Sequence, residues 1–199
     1  MSFNRNFEEV WVRMDYKPTK GSRTVYFLNH HSWWDGLIPL YLNKKYFHQK
    51  ARAIMEDTQM VEYGFFSKIG AFSIDLSDPR KSIRSLRYAK ESLVRENSCL
   101  FIYPEGRMTP LSYEQPTFKP GLVWLYKETE GVDFVPVSVV TNSYRFPKPE
   151  LYIHVGNPIH ASKKMSKSEL NHLFEKSIKF QVGNSLNVAG KSDIGFEKA

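Results

Sequence analysis

Short apolar runs alternate along the chain with longer stretches in which apolar residues recur at helical spacing. Val25–Leu28, 51–55, 71–75, Cys99–Tyr103, Phe134–Val139 and Leu151–Val155 are rich in β-branched and aromatic residues and short enough to be strands. Between them the spacing predicts a helix from about Gly36 to Lys44 and a short one from Tyr63 to Ile69, closed by Gly70. Asp78-Pro79 is a strong helix start, and the helix it opens reaches about Asn97 with Ile83, Leu86, Ala89 and Leu93 turned inward. A further helix carries Leu122, Trp124 and Leu125, and Ser166-x-x-Glu169 is a capping box for a last one to about Gln181.

The two ends read differently. Phe3, Phe7, Val10, Trp11 and Met14 fall at helical spacing among charged residues and predict an amphipathic helix, packed on the core or lying in a membrane interface. From Gly183 onward Gly, Ser, Asn and Lys dominate, which predicts a frayed tail. The organisation expected is therefore an N-terminal helix and connector over 1–24, one main domain over 25–182 and a flexible tail over 183–199. Strands alternating with helices specify an α/β fold: a single domain with a mixed, largely parallel central sheet flanked by helices.

Composition narrows the class. Of 199 residues, 41% are hydrophobic and 15% aromatic, so a sizeable core forms and global disorder is excluded. The formal charge of +7 suits an anionic partner without choosing among phosphate-bearing substrates, membrane surfaces and nucleic acids. One cysteine, Cys99, rules out a disulfide framework and fits a reducing compartment. No stretch reaches the ~18 apolar residues of a membrane span, so any membrane contact is expected to be peripheral.

The chemistry collects at two strand tips. The run Val25–Leu28 stops at Asn29-His30-His31-Ser32, with Asp35 three residues on; Cys99–Tyr103 stops at Pro104-Glu105-Gly106-Arg107-Met108-Thr109. Polar groups at the strand ends of an α/β sheet mark the default ligand site. A histidine held by a carboxylate can take a proton from a hydroxyl near neutral pH, and His30 with Asp35 can form that pair. Asp35 could equally cap the helix that follows. Arg80 and Lys81, at the start of the 78–97 helix, are a second place where an anion would be favoured. Trp33-Trp34 and Phe65-Phe66 lie near this site and either border it, touch lipid or pack in the core.

Asn29-His30-x-Ser32-x-x-Asp35, then Tyr103-Pro104-Glu105-Gly106-Arg107, then Val135-Pro136-Val137, and finally Gly156-Asn157-Pro158-Ile159 resemble, in this order, the motifs of the glycerolipid acyltransferase family. The resemblance covers about Val25 to Ile159. It implies transfer of a fatty acyl group from acyl-CoA or acyl-carrier protein to a hydroxyl of a lysophospholipid or related membrane acceptor. In that scheme His30 is the general base and Asp35 orients its ring. Glu105, Gly106 and Arg107 form the acceptor-binding turn, Arg80 and Lys81 add positive charge, and Ser32 shapes the first turn. The resemblance implies no metal and no cofactor beyond the acyl thioester co-substrate, and a cytoplasmic enzyme held peripherally on the inner face of a membrane. Two departures bear on the acceptor. Asp75 is followed by Leu76 where relatives with phosphorylated acceptors usually carry Arg, and the third motif reads Glu-Gly-Arg-Met-Thr. A glycolipid or another hydroxyl acceptor is therefore the alternative. A metal hydrolase using His30, His31 and Asp35, and a non-catalytic module for anionic lipid resting on the basic 80–95 helix, are rival classes. Nucleic-acid signatures are lacking.

Overall fold

The computed structural model describes residues 5–199 except 113, 115 and 193. Strand β2 (Arg23–Leu28) lies near the middle of an eight-stranded sheet in the order β4-β3-β5-β2-β6-β7-β1-β8. The remaining strands are β1 (Val10–Met14), β3 (Lys50–Glu56), β4 (Ala71–Ile74), β5 (Ser98–Ile102), β6 (Asp133–Asn142), β7 (Glu150–Val155) and β8 (Glu197–Lys198). From β4 to β6 every pairing is parallel; β7 runs antiparallel to β6, β1 parallel to β7, and β8 antiparallel to β1. The fold is α/β with a mixed, mostly parallel sheet flanked by helices.

Alternate residues of β2 divide the core, as the two-residue period of a strand requires. Val25 and Phe27 face a layer built by α4 (Pro79–Ser92), α5 (Gly121–Glu128) and α6 (Lys167–Val188). Tyr26 and Leu28 face the other side, where α1 (Ile38–Leu42) and the turn Asn43–Phe47 pack with Phe7. Two short helices, α2 (Asp57–Glu62) and α3 (Phe65–Lys68), connect β3 to β4. Asp78 caps α4 by accepting from the Arg80 and Lys81 N–H groups, and Ser166 with Glu169 closes the capping box of α6.

The chain ends depart from expectation. The amphipathic helix over 3–14 is not formed: Val10–Met14 is a strand, and Phe3 lies outside the described residues. Val10, Trp11 and Val12 also alternate, and pairing with β7 buries both valines on one face while Trp11 donates to Glu150 on the other. Two periods were written over the same residues, and sheet pairing selected the shorter. Nor is 183–199 a frayed tail. Helix α6 continues to Val188 because Ser185 is small enough to meet Ser138 of β6 at 3.0 Å between hydroxyls. Beyond it Asn142 donates to the Ala189 carbonyl, the Phe196 ring packs against Tyr152 at 5.5 Å, and the Ala199 N–H donates to Val10. The 78–97 helix is shorter than expected, ending at Ser92, and its Ile83 is exposed rather than buried.

Buried His154 of β7 donates from Nε2 to Asp15 at 2.7 Å, and Asp15 also accepts from Arg13 at 2.9 Å. Burial holds the His154 imidazole below its usual 6.5 even though Asp15 favours the charged ring. The unfolded chain then takes up a proton near pH 6.5 that the native state refuses, so this histidine's contribution is complete above that pH and declines as pH falls through it. The thermal midpoint is expected to drop as pH is lowered from about 7.5 to about 5.5, and His154→Gln should flatten that slope. Scanning calorimetry of both proteins across the range checks this, and equal slopes would refute it.

Candidate active site

The two polar turns predicted from sequence follow β2 and β5, which are hydrogen-bonded neighbours, so parallel pairing brings them side by side. At the first turn Ser32 is an N-cap: its hydroxyl accepts from the Trp34 N–H at 3.1 Å and a 3-10 turn follows over Trp33–Leu37. Asp35, at the third position of that turn, folds its carboxylate back over the cap and is fully buried. Its Oδ2 accepts from the His31 N–H at 2.7 Å, the Ser32 N–H at 2.9 Å and the ring Nδ1 of His30 at 2.9 Å. The cap is Ser32 rather than Asp35; Asp35 closes the capping box from the third position of the turn and holds the histidine ring with the same oxygen.

That arrangement fixes the chemistry of His30. Nδ1 carries its proton toward Asp35, which leaves Nε2 as the basic nitrogen, and among the described residues no protein group takes it. The ring lines a cavity and lies 4.6 Å from the Tyr103 ring. The Tyr103 hydroxyl donates to the main-chain carbonyl of Asp35. Burial, reinforced by the Asp35 carboxylate, pushes that phenol well above its usual range, so it stays a donor. His31 does not line the cavity: its Nδ1 lies 3.7 Å from Asp35 Oδ2 and its Nε2 meets the Thr141 hydroxyl at 3.2 Å, and burial lowers its pKa below the usual value although Asp35 opposes the shift. Asn29 clamps the end of β2 to β6, exchanging 2.8 Å bonds with both main-chain groups of Val139.

The second turn is tied to the first by Glu105. Its Oε1 accepts from the His30 N–H at 3.1 Å, and its Oε2 accepts from the Thr109 hydroxyl; the Thr109 N–H donates to the His30 carbonyl at 2.8 Å. Glu105 is buried, and both of its oxygens are bonded inside the protein, where they join the two turns. Gly106 adopts φ +67°, and a Cβ there would press on Leu76 and Lys119 at 3.2 Å. That backbone conformation and that approach both favour glycine. Arg107, exposed, lines the cavity mouth together with Lys119, which the sequence reading did not single out.

Arg80 and Lys81 are not brought to the site. Lys81 pairs with Asp75 at 3.0 Å, and neither basic side chain lines the cavity. The Ser77 hydroxyl and N–H together with Lys81 hold the Asp75 carboxyl down at about 2. Trp33 and Phe66 line the cavity, whereas Trp34 packs against Phe7. Tyr103 and Thr109, quoted in the second turn but given no role from sequence, both bond across to the first turn: Tyr103 reads as the last residue of a buried strand, and nothing in its spacing announces a bond across to Asp35.

The cavity encloses about 560 Å³, within the range of small-molecule sites, and is walled mainly by apolar side chains of β3, β5, α1, α3 and α4. His30 stands at one end of it beside the Gly106–Arg107 turn. Among the described residues no group of three His, Cys, Asp or Glu side chains could hold a metal ion, and no helix is long and apolar enough to cross a membrane.

A sequence model of the Acyltransferase family matches residues 9–140. The crystal structure of the 1-acyl-sn-glycerophosphate (LPA) acyltransferase PlsC from Thermotoga maritima shares the fold, with a TM-score of 0.65 and 21% identity over 92% of this chain and 74% of that one. No curated protein matches the chain.

Tyr103→Phe removes the hydroxyl donor to the Asp35 carbonyl, which keeps the Ile38 N–H, and is expected to cost about 0.5–1.5 kcal/mol. A urea titration with an unchanged slope and a lowered midpoint would bear this out; an unmoved midpoint would show that the bond carries no stability.

Proposed function

The chain belongs to the Acyltransferase family and is an acyltransferase, and from that premise we propose that it moves a fatty acyl group from a thioester, acyl-CoA or acyl-carrier protein, to a hydroxyl of a lysophospholipid or related lipid at a membrane surface. The observation that carries this reading is a histidine–carboxylate pair opening directly onto a largely apolar cavity. Nε2 of His30 takes the proton of the acceptor hydroxyl as its oxygen attacks the thioester carbonyl. Asp35 steadies the imidazolium that forms, and its own charge is already neutralised in part by two main-chain N–H donors. When the tetrahedral intermediate collapses the C–S bond breaks, and the departing thiolate takes the proton from His30. A thioester is already activated, so no acyl-enzyme on a serine is required, and Ser32 is engaged in capping its helix.

The cavity's apolar walls suit the acyl chain, and Arg107 and Lys119 at its mouth suit a phosphate of donor or acceptor. Leu76 lining the same mouth, with Lys81 turned to Asp75, favours a second reading of the acceptor alone: a glycolipid or other alcohol lacking a phosphomonoester.

His30→Ala keeps the main-chain bonds that His30 makes to Glu105 and Thr109, so the fold should persist while thioester-dependent transfer falls by roughly 10²–10⁴. Free-thiol release from acyl-CoA in the presence of lysophospholipids, lysophosphatidate and glycolipids measures this and ranks acceptors. Full turnover by a folded His30→Ala protein would exclude the mechanism.

A further inference from the structure

The cavity opens through an apolar margin rather than a polar collar. Trp33, Leu76 and Met108 line it and are also exposed. They follow β2, β4 and β5, so they stand at the C-terminal ends of parallel neighbours or one strand removed. The α2–α3 connection, which leaves the C-terminal end of β3, supplies the remaining side. Its Tyr63 and Phe66 face the cavity, while Val61 is 87% exposed and Phe65 42%. Phe65 stacks on Phe66 at 4.2 Å between ring centres, and Tyr63 meets Trp33 at 6.1 Å, so outward apolar groups are joined to the cavity wall ring by ring. Scattered exposed apolar residues are ordinary, but a margin continuous with an apolar cavity marks an interaction surface.

Charge on this rim is divided. Arg107 and Lys119 line the cavity on the β5–α5 side, and Arg52, Glu56 and Glu62 line it on the β3–α2 side. Cations therefore flank the His30 end, where Gly106 and Arg107 stand.

We propose that this rim is the face by which the enzyme lies on a bilayer containing anionic phospholipid. The inference rests on the acyl-transfer reading and names the surface that reading needs. Val61 and Phe65 enter the interfacial layer, Arg107 and Lys119 meet headgroup phosphates, and a lipid chain reaches the cavity without crossing water. A second copy of the chain seated here would instead seal the mouth through which lipid must pass. The segment 3–14, an alternative anchor in the sequence, has its residues Val10–Met14 committed to the sheet.

The test is co-sedimentation of the full chain with vesicles of phosphatidylcholine alone and of phosphatidylcholine with phosphatidylglycerol. The wild-type protein should bind, more tightly to the anionic vesicles, and Val61→Asp with Phe65→Asp should bind about a hundredfold more weakly. Val61→Asp alone, at a site open to solvent, should give part of that loss with its thermal midpoint unmoved. Transfer to a water-soluble short-chain acceptor without vesicles should be unchanged in the Val61→Asp variant, while transfer to a bilayer-embedded acceptor falls in both. Vesicle binding that survives the double substitution overturns the proposal. So does a wild-type protein that binds neither vesicle, or one that light scattering finds as a dimer dispersed by Val61→Asp. If soluble transfer is absent from the wild-type protein the acyl-transfer reading fails, and the sedimentation result still decides the surface.

Discussion

A single buried carboxylate sets the geometry of the site. Asp35 cannot be removed from water as an ion unless donors replace its hydration, because an isolated buried charge is prohibitively costly. Here Oδ2 receives two main-chain N–H groups and the imidazole, and Ser32 Oγ reaches Oδ1 at 3.4 Å. Each donor satisfies the charge and is itself positioned by it. The turn closes because the carboxylate needs those amides, and His30 is aimed because the carboxylate needs its proton. Stability and orientation are therefore the same interaction, and a ring held in this way keeps one tautomer and one direction.

The second carboxylate divides the task rather than duplicating it. Glu105 bonds the main chain of His30 and leaves the ring alone, whereas Asp35 bonds the ring. The backbone carrying His30 is thus fixed from the β5 side, and the ring is fixed from within its own turn. The parallel register of β2 on β5, with Phe27 opposite Ile102, brings the two turns within reach of these short side chains. A slip of one residue would turn every core side chain of β2 to the other face and separate the turns together. Core packing and site assembly consequently depend on one register.

How much of this was legible in the sequence follows from the range of each interaction. Elements set by local rules were readable: the α4 start from Asp78-Pro79, the capping box at Ser166, and both polar strand tips. His30, Ser32 and Asp35 were readable together because all their mutual contacts lie within six residues. Glu105 was singled out but its bond to the His30 main chain was not, since that bond crosses from the β5 turn to the β2 turn, 75 positions away. Tyr103 escaped for the same reason, its hydroxyl acting on a residue 68 positions away. At the chain ends the local signal was overridden. Val10–Met14 fits a helix until β7 is present to pair with it, and the polar, glycine-bearing stretch after Gly183 fits a tail until Ser185 and Ala189 find the sheet.

Charge illustrates the same limit at the level of function. Lys81 looks on paper like a phosphate ligand at a helix start, yet Asp75 lies within 3.0 Å of it, and an ammonium already paired has less to offer a substrate. Arg107 stands where the Gly106 backbone turns sharply, and the left-handed φ of +67° directs the chain so that residue 107 reaches the mouth. Lys119 reaches it from the far end of the same loop, and its N–H donates to the Pro104 carbonyl at 2.7 Å, which draws the loop closed. A net charge of +7 says only that anions are welcome somewhere on the molecule. Which cations stay open to an anion is decided by the acids already beside them, and by the few backbone bonds that carry a cation to the cavity.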